Sequence, residues 1–178
     1  VNQKLGVFDK DDQLYKSLNI STDNIKKLEF INQNPLGKSS RSNPITYIKA
    51  YDEIRSLFAS QNLAKTRKYT AGTFSFNVNG GRCENCKGEG ETTVEMQFMA
   101  DVHLECDDCK GTRFKKEVLE IKFGNKNISE ILELSVKEAI DFFSINNQHN
   151  ISKKIKPLDD VGLGYIKLGQ SSNTLSGG

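Results

Sequence analysis

The four cysteines of this 178-residue chain fall at Cys83, Cys86, Cys106 and Cys109, a C-x2-C-x19-C-x2-C spacing. Each Cys-x-x-Cys pair sets two thiolates on one tight turn, and two such turns complete the tetrahedral four-sulfur shell that holds zinc. Each pair is followed by Lys-Gly, at Lys87-Gly88 and Lys110-Gly111, and Gly80-Gly81 precedes the first. Small residues there let backbone amides approach the sulfurs. The two knuckles are quasi-repeats, and the insert between them is long enough for a hairpin. Two disulfides are the alternative, but they need an oxidising compartment, and no signal peptide is readable in the sequence. Zn2+ is therefore expected, as a folding staple, because an all-cysteine shell is closed and leaves no open position for catalysis. His103 and His149 are expected to be surface or packing residues, not ligands.

Charge separates the chain into regions. From Phe30 to Cys83 the bases Lys38, Arg41, Lys49, Arg55, Lys65, Arg67, Lys68 and Arg82 stand against Asp52 and Glu53, a net of +6; from Glu84 to Glu120 ten acids and five bases give −5. The basic stretch, interleaved with Tyr47, Tyr51, Phe58, Tyr69, Phe74 and Phe76, suits a phosphate backbone, whereas the acidic inter-knuckle hairpin repels one. The plain alternative is that these bases only solvate helix faces and loops. With 36% hydrophobic residues, no Trp and a mean hydropathy of −0.54, the chain reads as one polar domain plus a small metal module. No apolar run approaches the roughly 18 residues that span a bilayer. No membrane association is expected, and the cytoplasm is the default location.

The first stretch, to about Ile25, is polar and carries no assignable role. Lys27 to Gln33 reads as a short strand entering a breaker-rich loop that runs to Pro44. Asn43 caps and Pro44 opens a helix whose apolar positions Ile45, Ile48, Tyr51, Ile54, Leu57 and Phe58 carry it to near Ser60. Residues 71–81 are a loop. Val94, Met96 and Phe98 alternate as one hairpin strand and Val102 to Glu105 returns. Leu119, Ile121 and Phe123 alternate as a further strand closing at Gly124-Asn125. Ser135-Val136-Lys137-Glu138 is a capping box opening a helix with Val136, Ala139, Ile140 and Phe143 on one face. Gly162-Leu163-Gly164 lacks the third glycine and the strand-helix context of a dinucleotide fingerprint.

The run from Asp160 to Gln170, leading into Thr174-Leu175-Ser176-Gly177-Gly178, closely resembles the second nucleotide-binding half of the UvrA family, as does Phe74-Ser75-Phe76-Asn77 ahead of the cysteines. The run from Gln33 to Tyr47 is similar to that family's Q-loop and the segment after it. The resemblance spans roughly Phe30 to Gly178. It implies a DNA-damage-recognition ABC ATPase of bacterial nucleotide excision repair. It further implies an α+β fold, an ABC-ATPase signature domain fragment with an inserted four-cysteine zinc hairpin module. On this reading residues 1–33 end an ATP-binding core segment, 34–82 form a basic helical segment, 83–115 the zinc hairpin, and 116–178 a strand and helix segment ending in the signature. Gln33 would reach the magnesium and the attacking water. Leu175, Ser176, Gly177 and Gly178 would contact the γ-phosphate of ATP seated on the opposite nucleotide-binding domain, where glycine amides and a helix N-terminus suit an anion. Lys38, Arg41, Lys65, Arg67, Lys68 and Arg82 are the candidates for DNA phosphate contact. Implied partners are double-stranded DNA, the remainder of the parent ATPase, its homodimer partner and a UvrB-like repair subunit.

The sequence departs from a complete ATPase. No G-x-x-x-x-G-K-[ST] loop occurs, and no hydrophobic run ending in Asp-Glu follows the signature. The expectation is an internal fragment, inactive alone, with Mg2+ and ATP bound only by the full-length parent. Cys83-x-x-Cys86-x-Gly88-x-Gly90 also matches the repeat of DnaJ-type chaperones, but two pairs occur instead of four, and the second has Arg113 at the last glycine position. A free-standing zinc ribbon that binds protein partners is the third reading, which the Q-loop-like and signature-like runs oppose.

Overall fold

Asn43 sets the start of the first element as its sequence predicts. In the computed structural model, which describes residues 41–94, 96, 98 and 101–175, the Asn43 side chain accepts from the Thr46 amide at 3.1 Å, and Pro44 occupies the first helical turn. The strand expected over 27–33 lies outside the described residues.

The single helix expected to Ser60 is instead two. Helix α1 (Pro44–Tyr47) stops after one turn, and α2 (Tyr51–Ala59) follows. Between them Lys49 takes a left-handed φ of 57°. The Ala50 amide donates to the Ile45 carbonyl at 3.2 Å and the Lys49 amide to that of Thr46 at 3.1 Å, the paired bonds of a Schellman stop. The apolar repeat survives the break: Ile45, Tyr51, Ile54 and Phe58 are all buried. Helix α3 (Asn62–Thr66) ends the same way at Lys68, φ 56°, with the Tyr69 amide on the Ala64 carbonyl at 2.8 Å.

After the loop over 71–81, strands β1 (Glu91–Val94) and β2 (Val102–Glu105) pair antiparallel, Glu91 opposite Glu105 and Val94 opposite Val102. The return strand matches its expected bounds, whereas β1 ends at Val94 short of Phe98. Of the strand expected through Leu119, Ile121 and Phe123, only Lys122–Phe123 forms; Leu119 ends a helix instead. Helix α4 (Lys116–Leu119) precedes β3 (Lys122–Phe123), which pairs with β4 (Lys126–Asn127). Val118 and Ile121 are both buried, and their three-residue interval suits a helical turn as well as the alternation suited a strand. Gly124 and Asn125 both have positive φ, as a two-residue hairpin loop requires.

Helix α5 (Ile128–Leu132) carries a capping box from Asn127 and Glu130; α6 (Val136–Ile145) carries the expected one from Ser135 and Glu138. The hydrogen bonds from Ser135 hold the Glu138 carboxyl below its ordinary value. Helix α7 (His149–Asp160), for which no element is expected from sequence, packs along α6. Ser152 donates to the Ile140 carbonyl at 3.1 Å, and Ser144 donates to the Ser152 hydroxyl at 3.0 Å. The chain then runs back over α5 and α6. The Val136 amide bonds the Ile166 carbonyl at 2.9 Å, and the Leu168 and Gly169 amides bond Leu134 and Leu132 at 2.9 and 2.8 Å. The core gathers Ile54, Phe58, Phe74, Phe114, Ile131 and Phe143.

The segment ahead of the cysteines packs against the first knuckle. Phe76 is fully buried, and a Cβ on Gly88 would stand 2.0 Å from the Phe76 carbonyl oxygen, on a residue whose φ is +87°. Gly162 has nearly the same φ, +85°, with open space where a Cβ would point. Gly162→Ala is expected to cost about 1–2 kcal/mol in denaturant unfolding, the left-handed penalty alone. Gly88→Ala should cost clearly more, because backbone must move; equal losses would contradict the close approach. Ser135→Ala should cost about 1 kcal/mol through the lost cap.

Candidate metal centre

Two backbone bonds lay the knuckles side by side. The Cys83 amide donates to the Arg113 carbonyl at 2.8 Å, and the Cys106 amide donates to the Gly90 carbonyl at 2.9 Å. Gly90 and Arg113 each stand four residues after the second cysteine of their own knuckle, so the arrangement has a local two-fold character. The backbone repeats it. Lys87 and Lys110 have φ 51° and 50°, Gly88 and Gly111 87° and 74°, and Gly90 and Arg113 84° and 71°. Arg113, the departure from the glycine pattern, therefore keeps the glycine conformation.

All four sulfurs lie within 4.8 Å of one another and all four residues are buried. Cys83 Sγ is 3.9 Å from Cys106 Sγ, and Cys86 Sγ is 3.6 Å from Cys109 Sγ. A tetrahedron with Zn–S bonds of about 2.3 Å has edges of about 3.8 Å. A disulfide would need about 2.0 Å, and the four cysteines are free. The donor set fits a closed tetrahedral ion of the zinc class.

Amides surround the sulfurs. The Gly90 N–H reaches Cys86 Sγ at 3.2 Å. Burial pushes the Cys109 thiol up to about 12 against the Arg113 amide, and burial likewise raises Cys83. At Cys106 burial opposes ionisation too, but the amides of Cys109 and Asp108 outweigh it and bring the thiol down to about 7. The backbone thus lowers the cost of an anion at Cys106 while burial raises it at Cys83 and Cys109, where a bound cation would offset it.

The centre is joined to the helices through aromatic contacts. The Arg113 guanidinium lies 5.6 Å over the Phe76 ring, and Phe76 lies 5.1 Å from Tyr51 of α2. The Tyr51 hydroxyl donates to the Phe74 carbonyl at 2.7 Å. Burial raises the Tyr51 phenol far above its ordinary value, so it remains a donor. The knuckle alignment sets Arg113 opposite Gly90, but its place over Phe76 carries no sequence signal. The hairpin beyond the cluster is open to solvent: Val94, Phe98, Val102 and Leu104 are all exposed, Phe98 at 95%. His103 contacts Thr93 and stands apart from the cluster.

The basic candidates divide. Lys65 and Lys68 are exposed. Arg67 is bound to the Glu117 carbonyl at 2.8 Å and to the Glu120 carboxylate. Arg41 Nε stands 3.5 Å from Glu89 of the first knuckle, and Arg82 donates to the Asn77 carbonyl at 3.3 Å. Gln33, Lys38, Ser176, Gly177 and Gly178 lie outside the described residues. Leu175 packs against the core. The ends of the two family-like runs meet: the Ser172 amide donates to the Ser42 carbonyl at 2.7 Å and the Ile45 amide to Leu168 at 3.4 Å.

No family model matches the chain. It is 50% identical over all 178 residues to UvrABC system protein A of Clostridium acetobutylicum, covering 19% of that protein. It is 54% identical over 156 residues to UvrABC system protein A of Aquifex aeolicus, covering 88% of this chain and 17% of that one. The crystal structure of UvrA2 from Deinococcus radiodurans matches with a TM-score of 0.77 and 48% identity, over 82% of this chain and 18% of that one. The chain thus spans about a fifth of the length of the curated relatives it matches. With half of its residues shared from end to end with one such segment, and with the same fold in a solved relative, this chain belongs to the UvrA family.

Proposed function

We propose that this chain serves within a DNA-damage-recognition ATPase of bacterial nucleotide excision repair, as a zinc-stapled, DNA-contacting part of an ABC signature domain. The observation that carries the reading is the end-to-end identity with UvrABC system protein A; the clustered sulfurs support the metal. Cys83, Cys86, Cys106 and Cys109 would hold Zn2+, which when bound supplies a closed structural cross-link and no reactive position. The amides of Gly90 and Arg113 then stabilise the thiolates.

Gln33 and the signature residues Leu175, Ser176, Gly177 and Gly178 would meet Mg2+ and ATP held by the parent and by its homodimer partner. The join between Ser42 and Ser172 supports the two runs acting together, since movement of one carries the other. A UvrB-like subunit and double-stranded DNA are the remaining proposed partners, and the setting is the cytoplasm. Among the described residues no helix is long and apolar enough to cross a membrane.

Among the described residues Lys65 and Lys68 are the two exposed basic candidates, so they are proposed as the main phosphate contacts, with Arg67 held by Glu120 between them. Metal analysis of the purified chain should give about one zinc per chain, with four Zn–S distances near about 2.3 Å by X-ray absorption. A folded, metal-free chain with its four cysteines reduced would contradict the staple. With mixed-sequence duplex DNA, Lys65→Gln/Lys68→Gln should weaken binding uniformly and reduce the slope of log affinity against log salt by about 2. An unchanged slope, with binding altered instead by Glu91→Gln, would move the DNA face to the hairpin.

A further inference from the structure

The two sulfur contacts of hydrogen-bonding geometry in the cluster run across the knuckles and join like with like. The first cysteines, Cys83 and Cys106, approach to 3.9 Å, and the second, Cys86 and Cys109, to 3.6 Å. The reciprocal backbone bonds, Cys83 to Arg113 and Cys106 to Gly90, set the knuckles in that pairing. Closing either contact to a disulfide length of about 2.0 Å requires movement of about 2 Å shared between two side chains, within the reach of a rotamer adjustment.

We propose that the cluster is also a redox modification site, which peroxide converts into two cross-knuckle disulfides, Cys83–Cys106 and Cys86–Cys109. For each pair, two S–H bonds break and one S–S bond forms. The two sulfurs lose two electrons, the O–O bond of hydrogen peroxide accepts them, and the two thiol protons leave with the oxygens as two waters. Two equivalents of peroxide complete the change. The balance is that of four reduced thiols; where an ion holds them as thiolates it is released and water supplies the protons, so the proposal stands or falls separately from the ion's identity. Its structural consequence follows from topology. Each bond spans 23 residues and closes the hairpin at its base, whereas a disulfide inside one knuckle closes only its own turn. The oxidised chain keeps its knuckles together without a metal, and a thiol reductant restores the four-sulfur site.

The pairing can be read directly. No basic residue separates Cys83 from Cys86 or Cys106 from Cys109, and Lys87 and Lys110 follow the pairs. Trypsin therefore leaves a within-knuckle disulfide inside one peptide, but leaves a cross-knuckle disulfide linking two. The native chain, with its metal content measured beforehand, is titrated with hydrogen peroxide, alkylated and digested without reduction. The linked pair of peptides is expected to dominate, with fragmentation assigning the two bonds and dithiothreitol with zinc reversing them. In Cys83→Ser the surviving bond should be Cys86–Cys109 with Cys106 alkylated, and in Cys86→Ser it should be Cys83–Cys106 with Cys109 alkylated. The wild-type chain oxidised in guanidinium serves as a reference that needs no variant to fold, and its linked-peptide yield should fall severalfold. Within-knuckle disulfides, sulfinic acids in place of disulfides, or equal linked yields from native and unfolded chains would overturn the proposal.

Discussion

The convergence of four sulfurs at the base of β1 and β2 is the constraint on which the rest of the module depends. Seven of the eight residues in those strands are exposed and the eighth, Thr92, is only half-buried, so hydrophobic burial contributes little to holding them. A lone two-stranded hairpin is marginal in water. What fixes this one is the pair of knuckles, each reaching across to the other through one amide and carrying two buried thiols. An ion that binds such thiols as thiolates converts its own affinity into folding free energy. The acidic, open strands can then tolerate charge and exposed apolar side chains that a core-dependent hairpin could not.

The knuckles also bear on the helices. Phe76 is both a core residue and the surface on which Gly88 and Arg113 rest, and it stacks beside Tyr51 of α2. Arg55 lies 5.6 Å over the other aromatic partner, Tyr51, so a guanidinium accompanies each ring. Cation–π contacts of this sort are each modest. Their position between metal site and helix gives them their weight. The family-like runs near Ser42 and Ser172 are likewise packed through Ile45 and Leu168 into the same core. The region proposed to meet DNA and the runs proposed to meet nucleotide thus rest on one set of buried side chains.

Much of this was legible where residue chemistry is unambiguous. Asn43 before Pro44 and Ser135 with Glu138 each have few uses and cap their helices as their chemistry implies, and the four cysteines at metal spacing come together. The breaks between α1 and α2 and after α3 were not legible, because the left-handed stop residues are Lys49 and Lys68 in place of glycine. The same stop at Asn147 and Gly162 uses residues that advertise it. Helix α7 was hidden by Pro157 near its end and by its charged face, although Ile151, Ile155 and Leu158 keep helical spacing and are buried. Around Val118 and Ile121 the apolar pattern suited either period, and the chain divides there into α4, ending at Leu119, and β3, starting at Lys122. The tethering of Arg41, Arg67 and Arg82 could not be read from a charge count, since their partners Glu89, Glu120 and Asn77 are set by tertiary contact.

Amide hydrogen exchange of the chain, with and without a strong zinc chelator under reducing conditions, tests the dependence on the sulfur cluster most directly. The amides of Cys83, Gly90 and Cys106 should lose protection on chelation, and those of α2 next to Phe76 should lose part of theirs. The amides of α6 and α7, joined through Ser144 and Ser152, should keep theirs. Unchanged protection at Cys83 and Cys106 after the metal is removed would contradict the account, as would equal loss throughout the chain.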